Sequence, residues 1–198
     1  MDRKVYLLRH GAVALEDDQR RYIGQSDVPL SDEGERQARR LQNMLEAAAI
    51  GTVYCSDLAR SRRTAEIIAC RKGTAVTALT ALREISLGQW EGYSFADIAR
   101  RFPDEFKARG ADIGYYRVPG GESFADCSLR VVAAFQEILA SSAGDIAIVG
   151  HAGVNRVLLS HILGMPVANV FRIGQDYGCM NIIQCGGYGC QLKLVNYR

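Results

Sequence analysis

The sequence predicts an α/β protein: a three-layer α/β/α sandwich around a mainly parallel central sheet. Three observations carry this. Short apolar runs at 4–8, 52–55 and 146–149 read as buried strands. Each gives way, directly or across a loop, to a stretch with helical apolar spacing, and strands alternating with helices favour a parallel sheet. No Pro/Gly/Ser-rich linker divides the chain, so residues 1–198 read as one domain.

Taken in order, the first strand runs from Lys4 to Leu8 and straight into Arg9-His10-Gly11. A polar stretch to about Leu30 follows, with Gly24, Asp27 and Pro29 as turn formers. A helix starts at Ser31 or Asp32. Asp32 and Glu35 have capping-box spacing, and Ala38, Leu41, Leu45 and Ala48 form an apolar stripe. Gly51 breaks it; Thr52–Cys55 is a second strand, and from Ser56 onward a helix carries Ala65 and Ile68. Val76–Leu79 is a weaker strand. The segment from Glu84 to Gly121 is irregular, with the only tryptophan, Trp90, and room for one or two helices between Phe95 and Phe106.

Gly120–Ser123 reads as a turn and a helix cap. Phe124, Cys127, Val131, Ala134, Phe135 and Ile138 then give the clearest helical stripe in the chain. Ile146–Val149 is a strand entering Gly150-His151, followed by a helix from about Val154 to Leu163. Two strand-like runs close the chain, near Cys179–Cys185 and Gln191–Tyr197, split by Gly186-Gly187.

Composition narrows the function classes. With 48% hydrophobic and 23% charged residues, disorder and fibrous repeats are excluded as descriptions of the whole. The balance of 24 basic against 22 acidic residues, +2, is too small for a dedicated nucleic-acid surface. Yet 20 of the 24 basic residues are arginine, the lysines being Lys4, Lys72, Lys107 and Lys193. Base composition accounts for most of that excess. A few arginines are expected where a fixed fork of donors is needed, as around a phosphate.

The N-terminal MDRKVYLLRHG lacks the pattern of a signal peptide, and no run approaches the roughly 18 apolar residues of a membrane span, so no membrane association is expected. A chain of this length does not need a disulfide framework, so the six cysteines are expected as free thiols in a reducing cytoplasm. Cys55 and Cys127 fall on apolar faces as small hydrophobes. Cys179, Cys185 and Cys190 have five and four intervening residues, which is not zinc-knuckle spacing. No metal and no cofactor are expected.

The chemistry belongs at strand ends, where ligands of open α/β sheets bind. Of the three histidines, His10 directly follows the first strand and His151 follows the strand at 146–149; His161 sits inside a helix. One such histidine is ordinary; two in equivalent places, one beside Arg9, suggest a site.

LLRHG at 7–11 resembles the opening signature of the histidine phosphatase superfamily, which includes the cofactor-dependent phosphoglycerate mutases. The likeness continues through YIGQSDVPLSDEG at 22–34, SDLARSRRTAEII at 56–68, LREISLGQWEG at 82–92 and IVGHAG at 148–153. Five segments in family order are far more specific than one tripeptide. The resemblance implies a phosphoglycerate mutase-like fold and assigns roles. His10 would be the nucleophile that becomes phosphorylated, and Arg9, Arg60 and His151 would hold the transferring phosphoryl group. Glu84 would protonate the leaving alcohol.

The chemistry fits those types. A neutral imidazole attacks phosphorus in line, guanidinium groups neutralise the equatorial oxygens, and an acid assists a poor alkoxide leaving group. Spacing alone does not choose Arg60 over Arg62 and Arg63. Ser56 serves either as a hydroxyl contact or as a helix cap. By the same resemblance Ala152 would be a further phosphate contact. Gly24, Trp90 and Tyr93 are expected at the substrate pocket, with core packing the alternative for the aromatics. Burial would keep Glu84 protonated, and Arg83 beside it would oppose that.

One departure stands out. Many relatives carry a polar Thr or Ser soon after RHG and an Asn a few residues later; here Ala12, Val13 and Glu16 occupy that stretch. A carboxylate near bound phosphate is repelled, so Glu16 must point away or the loop must differ.

The short chain resembles the phosphatase branch, and GQSDVPLS, GQWEG and VPGGES resemble α-ribazole phosphatases. The partner implied is a small phosphorylated metabolite, with α-ribazole 5'-phosphate of cobalamin nucleotide-loop assembly as the specific expectation. A broad-specificity phosphatase, a mutase-type phosphotransferase and a non-catalytic phosphoester-binding protein are the alternatives. The oligomeric state stays open between monomer and homodimer.

Overall fold

The computed structural model describes residues 2–15, 17 and 19–198. Its elements are β1 (Arg3–Arg9), α1 (Asp32–Met44), β2 (Ile50–Cys55), α2 (Ala59–Cys70), β3 (Val76–Ala78), α3 (Phe95–Arg101), α4 (Pro103–Ala111), α5 (Phe124–Ser141), β4 (Asp145–Gly150), α6 (Ala152–Ile162), β5 (Met180–Gly186) and β6 (Gly189–Tyr197), with short 3₁₀ turns between them.

One sheet takes the order β3-β2-β4-β1-β5-β6. β3, β2, β4 and β1 run parallel, while β5 and β6 add an antiparallel hairpin beside β1. Strand periodicity builds the layers. Val5, Leu7, Ile146 and Ile148 face one core with Val131, Phe135 and Ile138 of α5 and Val157 and Leu158 of α6. The alternate residues Tyr6, Leu8, Ala147 and Val149 face a second core with Leu41, Ala65 and Ile68 of α1 and α2. Burial on both faces explains why these strands read as continuous apolar runs.

Local chemistry sets the helix starts. The Ser31 hydroxyl caps α1 by accepting from the Gly34 N–H at 3.1 Å. The expected Asp32–Glu35 capping box is not formed: Asp32 is already helical, and Glu35 pairs with Arg39 and Arg63 instead. The Ser123 cap of α5 does form a reciprocal box with Asp126. Between Phe95 and Phe106 there are two helices, because Phe102 adopts φ −135° and ψ 59° and Pro103 opens α4.

The hairpin corrects the expectation for two cysteines. Gly187 and Tyr188 turn between β5 and β6, the register sets Cys185 opposite Cys190, and the two form a disulfide with Cα atoms 4.1 Å apart. Four intervening residues, unsuitable for a knuckle, are the span of a tight hairpin. Cys55, Cys127 and Cys179 are buried free thiols, and Cys70 is an exposed one.

At the sheet centre β1 and β4 are neighbours, with Arg9 paired to Gly150. Their carboxyl ends therefore deliver His10 and His151 side by side.

Candidate active site

His10 follows β1 and His151 caps α6 after β4; their rings lie edge to face with centroids 4.9 Å apart. Both are buried. The Nδ1 of His10 is 2.7 Å from the Gly11 carbonyl oxygen, so Nδ1 carries the proton and Nε2 keeps its lone pair. Burial, then the charges of Arg9 and Arg60, holds the His10 pKa well below its ordinary 6.5, against the opposing Gly11 hydrogen bond. Burial, then His10 and the same arginines, does likewise for His151. The Nε2 of His151 is 2.7 Å from Ser56 Oγ, while its Nδ1 is buried and has no partner among the described residues. Ser56 thus holds the histidine; α2 is capped by Leu58, without a side-chain bond.

Arg60 is 1% exposed on the first turn of α2 and donates to the carbonyls of Ser26 and Gly24, each at 2.7 Å. Those bonds distinguish it from Arg62 and Arg63, which pair with Glu66 and Glu35 on the surface. Arg9 donates from Nη1 to the Gln175 carbonyl at 2.6 Å and lies over the Tyr177 ring at 3.7 Å, with Nε unpartnered among the described residues. Tyr177 also flanks His10, centroids 5.6 Å apart.

Glu84 meets the start of α6. Its carboxylate accepts from the N–H groups of Gly153 (3.1 Å), Val154 (3.2 Å) and its neighbour Ile85 (3.1 Å). A Cβ on Gly153 would lie 2.6 Å from Glu84 Oε1, so a larger residue there pushes the carboxylate from this position. The Arg83 guanidinium is engaged elsewhere, bidentate on Asp57 at 2.7 and 2.6 Å.

Arg9, His10, Arg60, Glu84, Gly24 and Ala152 all line one cleft of about 840 Å³. Trp90 and Tyr93 do not. Trp90 is 1% exposed in the core behind Tyr22, and Tyr93 lies beneath Arg101, because the Gly88–Trp90 turn points its indole inward. Glu16 lies outside the described residues. Earlier in the loop, Ala12 donates its N–H to Gln37 Oε1 at 2.8 Å and Val13 bridges to Leu30.

Sequence reasoning missed Gln175, Tyr177 and the amide network beneath them. Asn155 donates to Gln175 Oε1 at 2.9 Å, Gln175 donates to Asn181 Oδ1 at 2.8 Å, and Asn181 donates to the Leu7 carbonyl at 2.9 Å. The only local signal was the glycine-bounded stretch at 174–178.

The model of the histidine phosphatase superfamily (branch 1) matches residues 5–198. The chain belongs to that superfamily. Among individual histidine phosphatases, the chain is 27% identical over 198 residues to the adenosylcobalamin/alpha-ribazole phosphatase of Escherichia coli strain K12, covering 98% of this chain and 96% of that one. It is 36% identical over 166 residues to a Salmonella choleraesuis protein named "probable phosphoglycerate mutase", covering 82% of this chain and 76% of that one. The crystal structure of the alpha-ribazole phosphatase from Shigella flexneri superposes with a TM-score of 0.87 at 28% identity, covering 98% of this chain and 96% of the other.

Proposed function

We propose that this phosphomonoesterase works through a phosphohistidine on His10. The supporting observation is the ring's tautomer: Nδ1 is engaged by the Gly11 carbonyl, so the buried, neutral imidazole offers Nε2 to phosphorus. Nε2 attacks, the bond from phosphorus to the alcohol oxygen breaks, and Glu84 gives that oxygen a proton. Arg9, Arg60 and the free Nδ1 of His151 hold the phosphoryl oxygens as charge builds, and Ala152 borders them at the α6 N-terminus. Water, deprotonated by Glu84, then cleaves the phosphorus–nitrogen bond and releases phosphate. Ser56 acts through His151.

The reading takes 1–198 as one domain, supported by the single sheet that collects every named strand. Likeness to two alpha-ribazole phosphatases supports α-ribazole 5'-phosphate as substrate. A cytoplasmic location is part of the proposal and is tested by the redox state of Cys185 and Cys190. A mutase reading draws on the 36% identical Salmonella protein; isomer exchange without phosphate release separates it from hydrolysis.

The test is labelling with a phosphoester carrying radioactive phosphorus. Acid-labile label appears on the wild-type protein and is absent from His10→Ala; label persisting in that variant excludes the role.

A further inference from the structure

Near the end of β6, Asn196 adopts φ 51°, the only positive φ outside glycine among the described residues. The left-handed region crowds most side chains, asparagine less than others, and glycine enters it freely. Asn196 also lies in a bulge: β6 carries an extra residue against β5 between the Met180–Tyr197 and Ile182–Leu194 pairs. A bulge of this kind re-aims a side chain, and glycine would satisfy its backbone with less strain. What asparagine adds is its amide.

That amide reaches the loop beside the phosphoryl site. Its Oδ1 accepts from the Asp176 N–H at 2.7 Å, and its Nδ2 donates to Asp176 Oδ2 at 3.1 Å. The Asn196 backbone N–H donates to Asn181 Oδ1 at 3.0 Å, the same oxygen that accepts from Gln175. Gly174 leaves room for the amide, since a Cβ there would lie 3.0 Å from Asn196 Nδ2. Asp176 is thus gripped by main chain and side chain together, and its two neighbours are the residues that hold Arg9. The Gln175 carbonyl accepts from Arg9 Nη1, and the Tyr177 ring lies against the guanidinium carbon. One residue further on, Gly178 donates its N–H to the His10 carbonyl at 3.1 Å. Segment 174–178 belongs to no helix or strand, so bonds of this kind fix its place.

We propose that Asn196 is a positioning residue for phosphoryl transfer: through Asp176 it fixes segment 174–178, and so aims the Arg9 guanidinium at the phosphoryl group. The inference rests on the phosphomonoesterase reading and extends its machinery to the edge strand of the sheet. The competing clamp is the ion pair of Arg198 Nε with the same Asp176 Oδ2, at 3.3 Å. Its side chains are 61% and 47% exposed, and a pair in that setting adds little. The amide also grips the Asp176 main chain, which the ion pair does not.

The test is a double-mutant cycle on kcat/KM for p-nitrophenyl phosphate. Asn196→Gly keeps the backbone conformation and removes the amide. It lowers kcat/KM about tenfold by misplacing the guanidinium. In an Arg9→Lys background the same change costs less than about twofold, because the group it aims is already gone. A mere folding defect lowers both backgrounds alike, and a thermal melt follows folding separately. Calorimetric binding of orthovanadate, which needs no turnover, weakens in the same pattern. A second route leaves the backbone and size unchanged: Asn196→Asp sets two carboxylates against each other, and adding Asp176→Asn restores a donor between them and recovers about half of the wild-type kcat/KM or more. Arg198→Ala stays within about twofold of wild type.

An equal loss in both Arg9 backgrounds overturns the inference alone, as does wild-type turnover and vanadate binding in Asn196→Gly. So does an exchanged pair that stays as slow as Asn196→Asp. An Arg198→Ala loss as large as that of Asn196→Gly assigns the hold to the ion pair and overturns it too. No turnover of any phosphoester by the wild-type protein, with no label on His10, overturns the phosphomonoesterase reading and the inference with it.

Discussion

His10 is held neutral by its surroundings, and this has consequences for pH. Its pKa and that of His151 lie below the ordinary 6.5, chiefly through burial. The unfolded chain therefore takes up protons near pH 6.5 that the folded chain refuses, and stability rises with pH wherever the unfolded state binds more protons. Calorimetry is expected to show a melting temperature steady above about pH 6.5 and falling below it, down to the depressed folded values. The fall is shallower in His151→Asn. For the same reason kcat/KM, corrected for the substrate's own second ionisation, holds its value below pH 6.5 rather than dropping there. The histidines could be read from sequence because each directly follows an apolar run. Tyr177 and Gln175 could not, since they reach Arg9 from a loop more than 160 residues away with no periodicity to mark it.

Helix α5 does more than fill the core. Arg130 on it donates to the carbonyls of Ala81, Arg83 and Glu84 and forks onto Glu122, fastening the acid-bearing segment to the helix. Its salt bridge with Glu122 is only 22% exposed on each side chain. Removing one partner of such a pair strands the other, so Arg130→Met is expected to cost about 2 kcal/mol in denaturant unfolding. It also lowers kcat by about tenfold, because Glu84 loses its support. Ser123→Ala is the control: it breaks the cap of the same helix at a cost of about 1 kcal/mol and leaves kcat near wild type. A larger rate loss in Ser123→Ala than in Arg130→Met would refute this division. The α5 stripe was legible in full, all six positions being buried. The role of Arg130 was not, because on a helical wheel it is one more polar residue, and its partners come from a segment with no regular structure.

Across the whole molecule the charge is nearly balanced, but its placement is not. Six arginines and no lysine line the cleft among the described residues, facing Glu84 and Asp176. Six of the twenty arginines thus lie where a phosphate ester would sit, while the exposed Arg36, Arg39, Arg62 and Arg100 pair with neighbouring carboxylates. The layered fold was legible because its central strands are buried on both faces. The hairpin disulfide was not, because it depends on register rather than spacing. It also sets a test of location: alkylation of protein freshly released from cells and denatured finds six reactive thiols if the cytoplasm keeps Cys185 and Cys190 reduced, and four if it does not. Finally, α6 carries His151 as its cap and Glu84 on its second and third amides. In the proposed mechanism, the group that steadies the phosphoryl oxygens and the group that moves the proton are thus mounted on one rod and cannot drift apart independently. Damage to either mounting is shared: Gly153→Ala, which crowds the acid, and Ser56→Ala, which frees the histidine, should together cost less than the sum of their separate losses.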